Sequence, residues 1–269
     1  MHEPGTTVTA PRIACLTSET AELCFALGLG DQVVGRSAFC TRPDAVKRVP
    51  VVSGFTEVRL DRLAEVAPDI VLAFSDMQAD ACRQLVAAGH TVLALNQRTL
   101  AETLQAIRWV GGLLDRRDAA ESLVGAMQRR IDEVRSRAEE LPVVPRVYFE
   151  EWDAPLIAGI GWVSELITLA GGVDVFSHLA DRRSAPERVV ESADVVAAAP
   201  DIMLASWCGK PFRPEQVRAR PGWEAIPAVR DGAMYPLPGE EVLAPGLSLV
   251  DGLERIHRIV AEWAAKRGT

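Results

Sequence analysis

The sequence predicts an α/β fold in which two Rossmann-like lobes with parallel sheets are joined by one long helix, with a ligand cleft between the lobes. The first observation is an internal echo: seven residues starting at Ala67 recur, with one change, starting at Ala199. In each copy, proline separates an amphipathic run from an apolar run of strand length, which predicts a helix, a turn and a buried strand. A second likeness, between Glu22–Gly28 and Glu165–Gly171, occurs in the same order. Two ordered echoes favour a duplicated lobe over a phrase that any α/β protein reuses.

The first half of the chain alternates predicted strands and helices, which is typical of a parallel sheet covered by helices. Short apolar runs predict strands, and glycine or proline marks the end of each helix. The predicted elements are strand Arg12–Leu16, a helix from Thr17 to Gly28, strand Val33–Gly35, a polar loop Arg36–Arg48, strand Val49–Val52, a helix from Leu60, strand Ile70–Phe74, helix Gln78–Ala88 and strand Thr91–Leu95.

Two helices follow, Leu100–Leu114 and a longer one from Asp118 to Leu141. The longer helix contains no proline and one glycine, Gly125, and it would span about 35 Å. Its dense charges are typical of a solvated helix face. Because it separates the echoed halves, we expect an N-terminal lobe over 1–117, a connecting helix over 118–141 and a C-terminal lobe over 142–269. A single stiff connection predicts a rigid cleft.

The second half repeats the pattern of the first. The predicted elements are strand Arg146–Phe149, helices Val163–Ala170 and Val190–Ala198, strand Ile202–Ala205, helix Pro214–Ala219, strand Met234–Leu237 and a final helix Ser248–Ala265.

Composition limits the classes of function. Hydrophobic residues make up 48% of the chain and charged residues 25%, which is ordinary for a soluble globular protein. The net charge of -8 argues against nucleic-acid binding, because neutralising phosphates requires a basic face. Met1–Pro11 lacks the regions of a secretory signal, and the five cysteines form no CxxC motif. We therefore expect a cytoplasmic protein as the sequence is written, or a periplasmic one if an export signal has been removed.

Ligands of open parallel sheets bind beyond the carboxyl ends of the strands, so the residues that follow each strand nominate a site. Aromatic residues are frequent there, and together they predict a broad, flat, apolar ligand, although a single tryptophan more often belongs to a core. Cys40 and Cys208 also fall on these loops, as small buried residues or as soft ligands to a bound metal. The candidate ligand-binding residues are Phe39, Cys40, Phe55, Glu151, Trp152, Trp162, Trp207, Cys208 and Glu241.

Other chemistries are disfavoured. The sequence completes no GxGxxG motif, and it contains neither a phosphate-binding GxxxxGK[ST] motif nor a GxSxG nucleophile elbow. The four histidines, at His2, His90, His178 and His257, do not cluster, which disfavours a multi-histidine metal site. We expect no catalytic residue, no resident metal and no intrinsic cofactor.

The chain resembles the cobalamin and iron-siderophore substrate-binding proteins of ABC importers, the class with a rigid helical backbone. The resemblance runs from about Pro11 to Trp263. It is carried by "SGFTEVRLDRLAEVAPDIVLAF", "LITLAGGVDVF", "SADVVAAAPDIMLASW" and "RPGWEAIPAVRDGAMYPL".

The cobalamin branch is the most similar one, and the resemblance implies a corrinoid as ligand. An aromatic residue of that branch packs on the corrin and falls here on Phe55, whereas Trp152 or Trp207 would line the other side. The family docks on its permease through one acidic residue per lobe. The first position is Asp61, and the second is the uncharged Ala193, which Glu191 and Asp194 flank. We expect a monomer that partners with a small molecule and an ABC permease.

Two alternatives stay open. A ferric-siderophore or haem ligand on the same fold would use cationic residues or a tyrosine, and a cytoplasmic corrinoid- or metal-handling factor or enzyme would use Cys40, Cys208, Glu151 and Glu241. The cationic and tyrosine candidates are Arg36, Arg42, Arg59, Arg98, Arg182, Arg183, Tyr148 and Tyr235.

Overall fold

The structure, a computed structural model, describes residues 10–268, which form two compact units. Unit 1 contains the chain up to Gln97 and the segment Ala106–Glu121, and unit 2 contains Arg98–Gln105 and the chain from Ser122 onward. The expectations for His2 and for most of the N-terminal segment concern residues that lie outside the described range. Within that range, no helix combines the length and the apolar character that crossing a bilayer requires.

Unit 1 is built on a parallel five-stranded sheet in the described chain. Its strand β4 is buried at every position, because a parallel sheet is covered by helices on both faces. The strands are β1 (Ile13–Cys15), β2 (Val33–Ser37), β3 (Val51–Ser53), β4 (Ile70–Phe74) and β5 (Val92–Leu95), in the order β3-β2-β1-β4-β5. The helices between them are α1 (Ser18–Ala26), α2 (Leu60–Val66) and α3 (Ala79–Ala87).

Two long helices follow the first sheet, α4 (Leu100–Leu113) and α5 (Arg117–Glu139). The division between the units falls inside both, so each helix contributes residues to unit 1 and to unit 2. The predicted long helix is confirmed as one uninterrupted element of 23 residues.

Unit 2 is built on a second sheet, which is mostly parallel. Its strands are β6 (Arg146–Asp153), β7 (Leu156–Ala158), β8 (Val173–Asp174), β9 (Ile202–Ala205) and β10 (Met234–Pro236). The order is β10-β9-β6-β7, and β8 also pairs with β6. The helices are α6 (Gly161–Leu169), α7 (Ser192–Ala198), α8 (Pro214–Arg218), α9 (Pro227–Arg230), α10 (Gly239–Val242) and α11 (Leu249–Ala265).

The second sheet departs from the predicted pattern at β7, which runs antiparallel to β6. Only Ala154 and Pro155 connect these two strands, and a two-residue connection permits an antiparallel hairpin alone. Pairing with β7 extends β6 to Asp153, beyond the predicted end at Phe149. Glu150, Glu151 and Trp152 therefore lie on a strand, and the expectation that they occupy a loop was wrong.

The duplicated helix, turn and strand are confirmed. Helices α2 and α7 each have seven residues and end at an alanine in the left-handed conformation, Ala67 with φ 38° and Ala199 with φ 44°. Helices α1 and α6 each have nine residues, and a left-handed glycine follows two residues later, at Gly28 and Gly171. Both echoes read in the sequence thus correspond to the same backbone path in each unit.

Candidate functional site

Two exposed phenylalanines stand at the carboxyl edge of the unit 1 sheet. Phe39 follows β2 and is 58% exposed, and Phe55 follows β3 and is 41% exposed. Their rings meet edge to face with centroids 6.2 Å apart, a favourable arrangement for aromatic pairs. This pair places an apolar surface where parallel sheets bind ligands.

Polar side chains hold the backbone beneath these rings. The Ser18 hydroxyl donates a hydrogen bond to the Phe39 carbonyl at 2.9 Å. The Gln78 side-chain amide donates to the carbonyls of Phe55 at 2.6 Å and Leu16 at 3.3 Å, and its oxygen accepts from the Phe74 N–H. Sequence reasoning missed Gln78, although its place just after a buried strand marked it as a residue of the same edge.

Cys40 lies in the core of unit 1 and is 1% exposed. Its thiol donates to the Thr17 carbonyl at 3.3 Å, and burial raises the pKa of Cys40 to about 12. Of the two alternatives stated for Cys40, a small buried residue or a soft ligand to a metal, the structure supports the first. Because the loop folds back onto the start of α1, the thiol points inward and stays protonated.

In unit 2, Glu150 is fully buried and all its partners are polar side chains. It accepts two hydrogen bonds from the Arg220 guanidinium, at 2.7 and 2.8 Å, and one from the Trp207 indole at 2.9 Å. The Tyr148 hydroxyl, one pleat away on β6, lies 3.1 Å from Glu150, and burial raises the pKa of Tyr148. Tyr148 is thus a core residue and not an accessible iron ligand, and Trp207 is held nearly buried.

The other predicted carboxylates are already paired. Glu151 forms an ion pair at 2.6 Å with Arg188, a buried side chain that also donates to the Ala158 carbonyl. Glu241 is buried beside Arg255, whose guanidinium donates to both carboxylate oxygens at 2.6 and 2.9 Å. Each pair stabilises the fold around its carboxylate. The sequence alone did not reveal the pairs, because the partners lie 37 and 14 residues apart along the chain.

Trp152 remains half-buried at the end of β6, where a cation covers its ring. The Lys210 ammonium lies 4.0 Å from the Trp152 ring centroid and 5.3 Å from that of Trp207, and it pairs with Asp153. Cys208 is exposed nearby, with a pKa raised by partial burial and by the Glu151 carboxylate. Unit 2 thus presents a partly exposed aromatic ring beside an ion pair at the ends of β6 and β9.

Trp162 was expected on the ligand-facing rim, but it is 2% exposed in the core of unit 2. Its indole N–H donates to the Val242 carbonyl at 2.8 Å. As the second residue of α6, it packs inward because that helix is covered by α11.

Unit 2 also contains a cavity of about 660 Å³, formed by the start of α4, one face of α6 and the segment 180–183. Three arginines line it: Arg98, Arg182 and Arg183. Gly161 permits these segments to converge, since a Cβ atom there would lie 2.8 Å from the Ala180 carbonyl oxygen and 3.0 Å from that of Arg98.

Glu165 closes one side of this cavity. Its carboxylate accepts a hydrogen bond from the Leu100 N–H at 2.7 Å, and burial raises the pKa of Glu165. Glu102 similarly accepts from the N–H groups of Arg98 and Thr99. Both carboxylates are therefore already hydrogen-bonded to backbone N–H groups at the start of α4.

The three predicted docking acids, Asp61, Glu191 and Asp194, are exposed. Asp61 is the second residue of α2, and Ala193 is the second residue of α7, so the two positions correspond in the duplicated structure. Negative charge in a first turn also stabilises a helix. Among residues 10–268, no group of three or more His, Cys, Asp or Glu side chains has an arrangement that would hold a metal ion.

Comparisons with known proteins agree on one family. A family model described as "Periplasmic binding protein" matches residues 13–241. The "Uncharacterized ABC transporter substrate-binding lipoprotein YvrC" of Bacillus subtilis (strain 168) is 27% identical over 91% of this chain and 78% of its own length. The "Vitamin B12-binding protein" of Vibrio vulnificus (strain YJ016) is 23% identical over 95% of this chain and 92% of its own. The structure of the periplasmic heme-binding protein BhuT with two hemes superposes with a TM-score of 0.82 at 25% identity, covering 95% of this chain and 100% of that one.

Proposed function

The chain belongs to the periplasmic binding protein family, as a substrate-binding component of an ABC importer, and we propose that its substrate is a corrinoid. The family consists of substrate-binding proteins of ABC transporters, so the chain binds a small molecule and is not an enzyme. Since the Bacillus subtilis relative is a lipoprotein, we propose that this chain also acts outside the cytoplasm.

The exposed Phe39–Phe55 pair carries this proposal. A corrin is a large, nearly flat ring, and burying it against aromatic side chains yields roughly 25 cal/mol per Å² of apolar area before the costs of binding. Two phenylalanines that stay exposed at the carboxyl edge of a sheet leave such an area unused in the free protein. The vitamin B12-binding relative supports the same class of ligand.

In unit 2, Trp152 and Cys208 are the predicted residues that remain accessible, and we include them among the contacts. Trp207 has a different role, because Glu150 holds its indole nearly buried beneath this surface. Asp61, Glu191 and Asp194 are proposed to face the permease.

Titration of the purified protein with cyanocobalamin tests the corrinoid proposal. Binding is measured by calorimetry and by quenching of tryptophan fluorescence. Phe55→Ala and Phe39→Ala should each weaken binding about tenfold, which corresponds to about 1.4 kcal/mol. Trp109→Ala is the matched control, since Trp109 is an aromatic side chain of unit 1 with 60% exposure on α4. Absence of both heat and quenching with wild-type protein would exclude a corrinoid.

An anionic iron chelate, such as haem or a ferric siderophore, is the second candidate. It is favoured by the cavity of unit 2, which gathers three of the six arginines named for this ligand class. Guanidinium groups bind carboxylates through paired, charge-assisted hydrogen bonds. The heme-bound BhuT structure supports the same class.

Arg182→Glu combined with Arg183→Glu should abolish binding of such a chelate and leave cyanocobalamin affinity unchanged. Arg213→Glu combined with Arg218→Glu, two exposed reversals at α8, is the control for net charge. The same calorimetric titration with haem and with a ferric hydroxamate decides between the two candidates. If the wild type binds neither haem nor the ferric hydroxamate, an anionic iron chelate is excluded as the ligand class.

A further inference from the structure

Glu19 is a carboxyl group buried at the carboxyl edge of the unit 1 sheet. It is the second residue of α1, the helix that follows β1, and it is 6% exposed. Its Oε1 atom has no hydrogen-bond partner in the described chain. The Thr17 hydroxyl and the N–H of Glu19 itself are the groups that favour its charged form. A buried carboxylate with an unsatisfied oxygen is costly, and such a group lowers the cost by keeping its proton.

The loop that carries Phe39 packs against the residues that immediately precede Glu19. Two side-chain contacts tie the loop to the first turn of α1. The Ser18 hydroxyl donates to the Phe39 carbonyl at 2.9 Å, and the Cys40 thiol donates to the Thr17 carbonyl at 3.3 Å. The loop whose closed position sets Phe39 against Phe55 is thus anchored next to Glu19, and its Cys40 is close enough for the Glu19 charge to raise the pKa of the thiol, after the larger effect of burial.

We propose that Glu19 is a proton-operated latch, which keeps the Phe39 loop closed while the carboxyl group holds its proton and releases the loop when the proton leaves. Ionisation would demand water at Oε1, and water can reach it once the loop lifts from α1. Lifting the loop would separate Phe39 from Phe55 and so weaken the surface proposed to bind the ligand. This consequence rests on the function proposed above.

The groups around Glu19 do not neutralise its charge. Glu22 on the same helix repels it, and the Cys40 thiol from the loop is neutral. Arg36 on β2 directs its guanidinium to the carbonyls of Ser37, Cys40 and Val49 instead. Cys15 on β1 is a buried thiol whose pKa is raised, chiefly by its contact with Cys24.

Burial raises the pKa of Glu19 to about 7, from about 4.5, against the opposing hydrogen bond from Thr17. The carboxyl group is then mostly protonated at pH 6 and mostly ionised at pH 8. If the open loop returns Glu19 to its ordinary pKa, linkage makes opening about tenfold more favourable at pH 8 than at pH 6.

Hydrogen exchange of the peptide that spans 37–41 tests the latch without any ligand. After correction for the intrinsic exchange rate, protection of the wild type should fall about tenfold between pH 6 and pH 8. Glu19→Gln should remove this pH dependence, because the amide cannot ionise. Asp31→Asn, which removes an exposed carboxyl between α1 and β2, is the matched control and should keep the wild-type response.

Infrared spectra of the wild type supply a second measurement that does not depend on any variant's folding. A protonated-carboxyl band that titrates near pH 7 is expected. Protection that is equal at pH 6 and pH 8, or a pH dependence that persists in Glu19→Gln, would overturn the latch.

Cyanocobalamin binding, measured at the same two pH values, separates the latch from the proposed function. Protection of the 37–41 peptide that depends on pH in the free protein and rises when cyanocobalamin binds, at both pH values, would support both. Absence of cobalamin binding alongside pH-dependent protection would end the corrinoid proposal and leave the latch standing.

Discussion

Glu150 shows what a buried charge needs in order to be tolerated. The side chain has no exposure, yet the Arg220 guanidinium, the Trp207 indole and the Tyr148 hydroxyl together engage both carboxylate oxygens. Such a network stabilises the fold only when it is complete, because removing one member leaves its partner buried and unpaired. Glu150 thereby fixes the position of Trp207 beneath the accessible surface of unit 2.

Glu150→Gln should therefore destabilise the protein by about 3 to 5 kcal/mol, because it leaves the Arg220 guanidinium without its counter-charge. Urea unfolding monitored by circular dichroism measures this loss. The double variant Glu150→Gln with Arg220→Met should recover part of it, while Glu215→Gln, an exposed site on α8, is the neutral control. A loss below about 1 kcal/mol would show that the ion pair does not carry this stabilisation.

At individual residues, sequence reasoning succeeded where local context decides exposure. Phe39 and Phe55 follow strands, and both are exposed at the expected edge. It failed where burial depends on distant partners: the carbonyl that receives the Trp162 indole is 80 residues away, and the Cys40 thiol points to a carbonyl 23 residues before it. No local pattern of residues contains that information.

The repeated elements share more than their backbone. An arginine at the start of the first strand of each unit ties that strand to the end of the echoed helix. The backbone N–H of Arg12 donates to Asp69 at 2.7 Å, and that of Arg146 donates to Asp201 at 2.9 Å. Each guanidinium also caps the helix, with Arg12 bound to the Ala67 carbonyl.

In the second unit the Arg146 guanidinium binds the carbonyl of Ala198, the counterpart of Val66, whose carbonyl Arg12 also binds. The contacts in the two units join residues 57 and 55 positions apart, so the periodicity of either segment could not reveal them. A comparison of Pro11-Arg12 with Pro145-Arg146 would have done so. Strand β7, which begins only two residues after the end of β6, was missed as well.

Two neighbouring glycines of α4 provide a test of helix packing. A Cβ atom at Gly111 would collide with the Ala120 side chain, where α4 and α5 pack closely, whereas one at Gly112 would meet no atom within 4 Å. Gly111→Ala should therefore destabilise the protein by about 1 to 3 kcal/mol. Gly112→Ala should stabilise it by about 0.5 to 1 kcal/mol, through helix propensity alone.

Thermal and urea unfolding of the two variants measure both changes, and each variant controls for the other because the substitution is the same. Destabilisation of similar size at both sites would mean that the close approach of α4 and α5 does not limit Gly111.

At the scale of the whole molecule, neither unit is a continuous piece of chain. Unit 1 takes Ala106–Glu121 from beyond the segment Arg98–Gln105, which belongs to unit 2. Helices α4 and α5 therefore each hold residues of both units, and unfolding one unit removes helical turns from the other. Because helix formation is cooperative along a continuous backbone, we expect the units to unfold together.

The distribution of probe residues makes this expectation measurable. Of the six tryptophans, Trp109 alone is in unit 1, so fluorescence reports mainly on unit 2. The buried cysteines Cys15, Cys24 and Cys40 are all in unit 1, and their reaction with a thiol reagent reports its opening. In urea, the two probes should give the same midpoint.

Ser122→Pro, placed where α5 passes from unit 1 to unit 2, should lower both midpoints together. Proline inside a helix removes a backbone hydrogen bond and costs about 3 kcal/mol or more. Arg117→Pro is the matched control, because the first residue of a helix accepts proline. If Ser122→Pro exposed the unit 1 thiols at urea concentrations where tryptophan fluorescence is still native, α5 would not couple the two units. Equal shifts of both midpoints in Ser122→Pro, with neither shifted in Arg117→Pro, would establish α5 as the element through which they unfold as one.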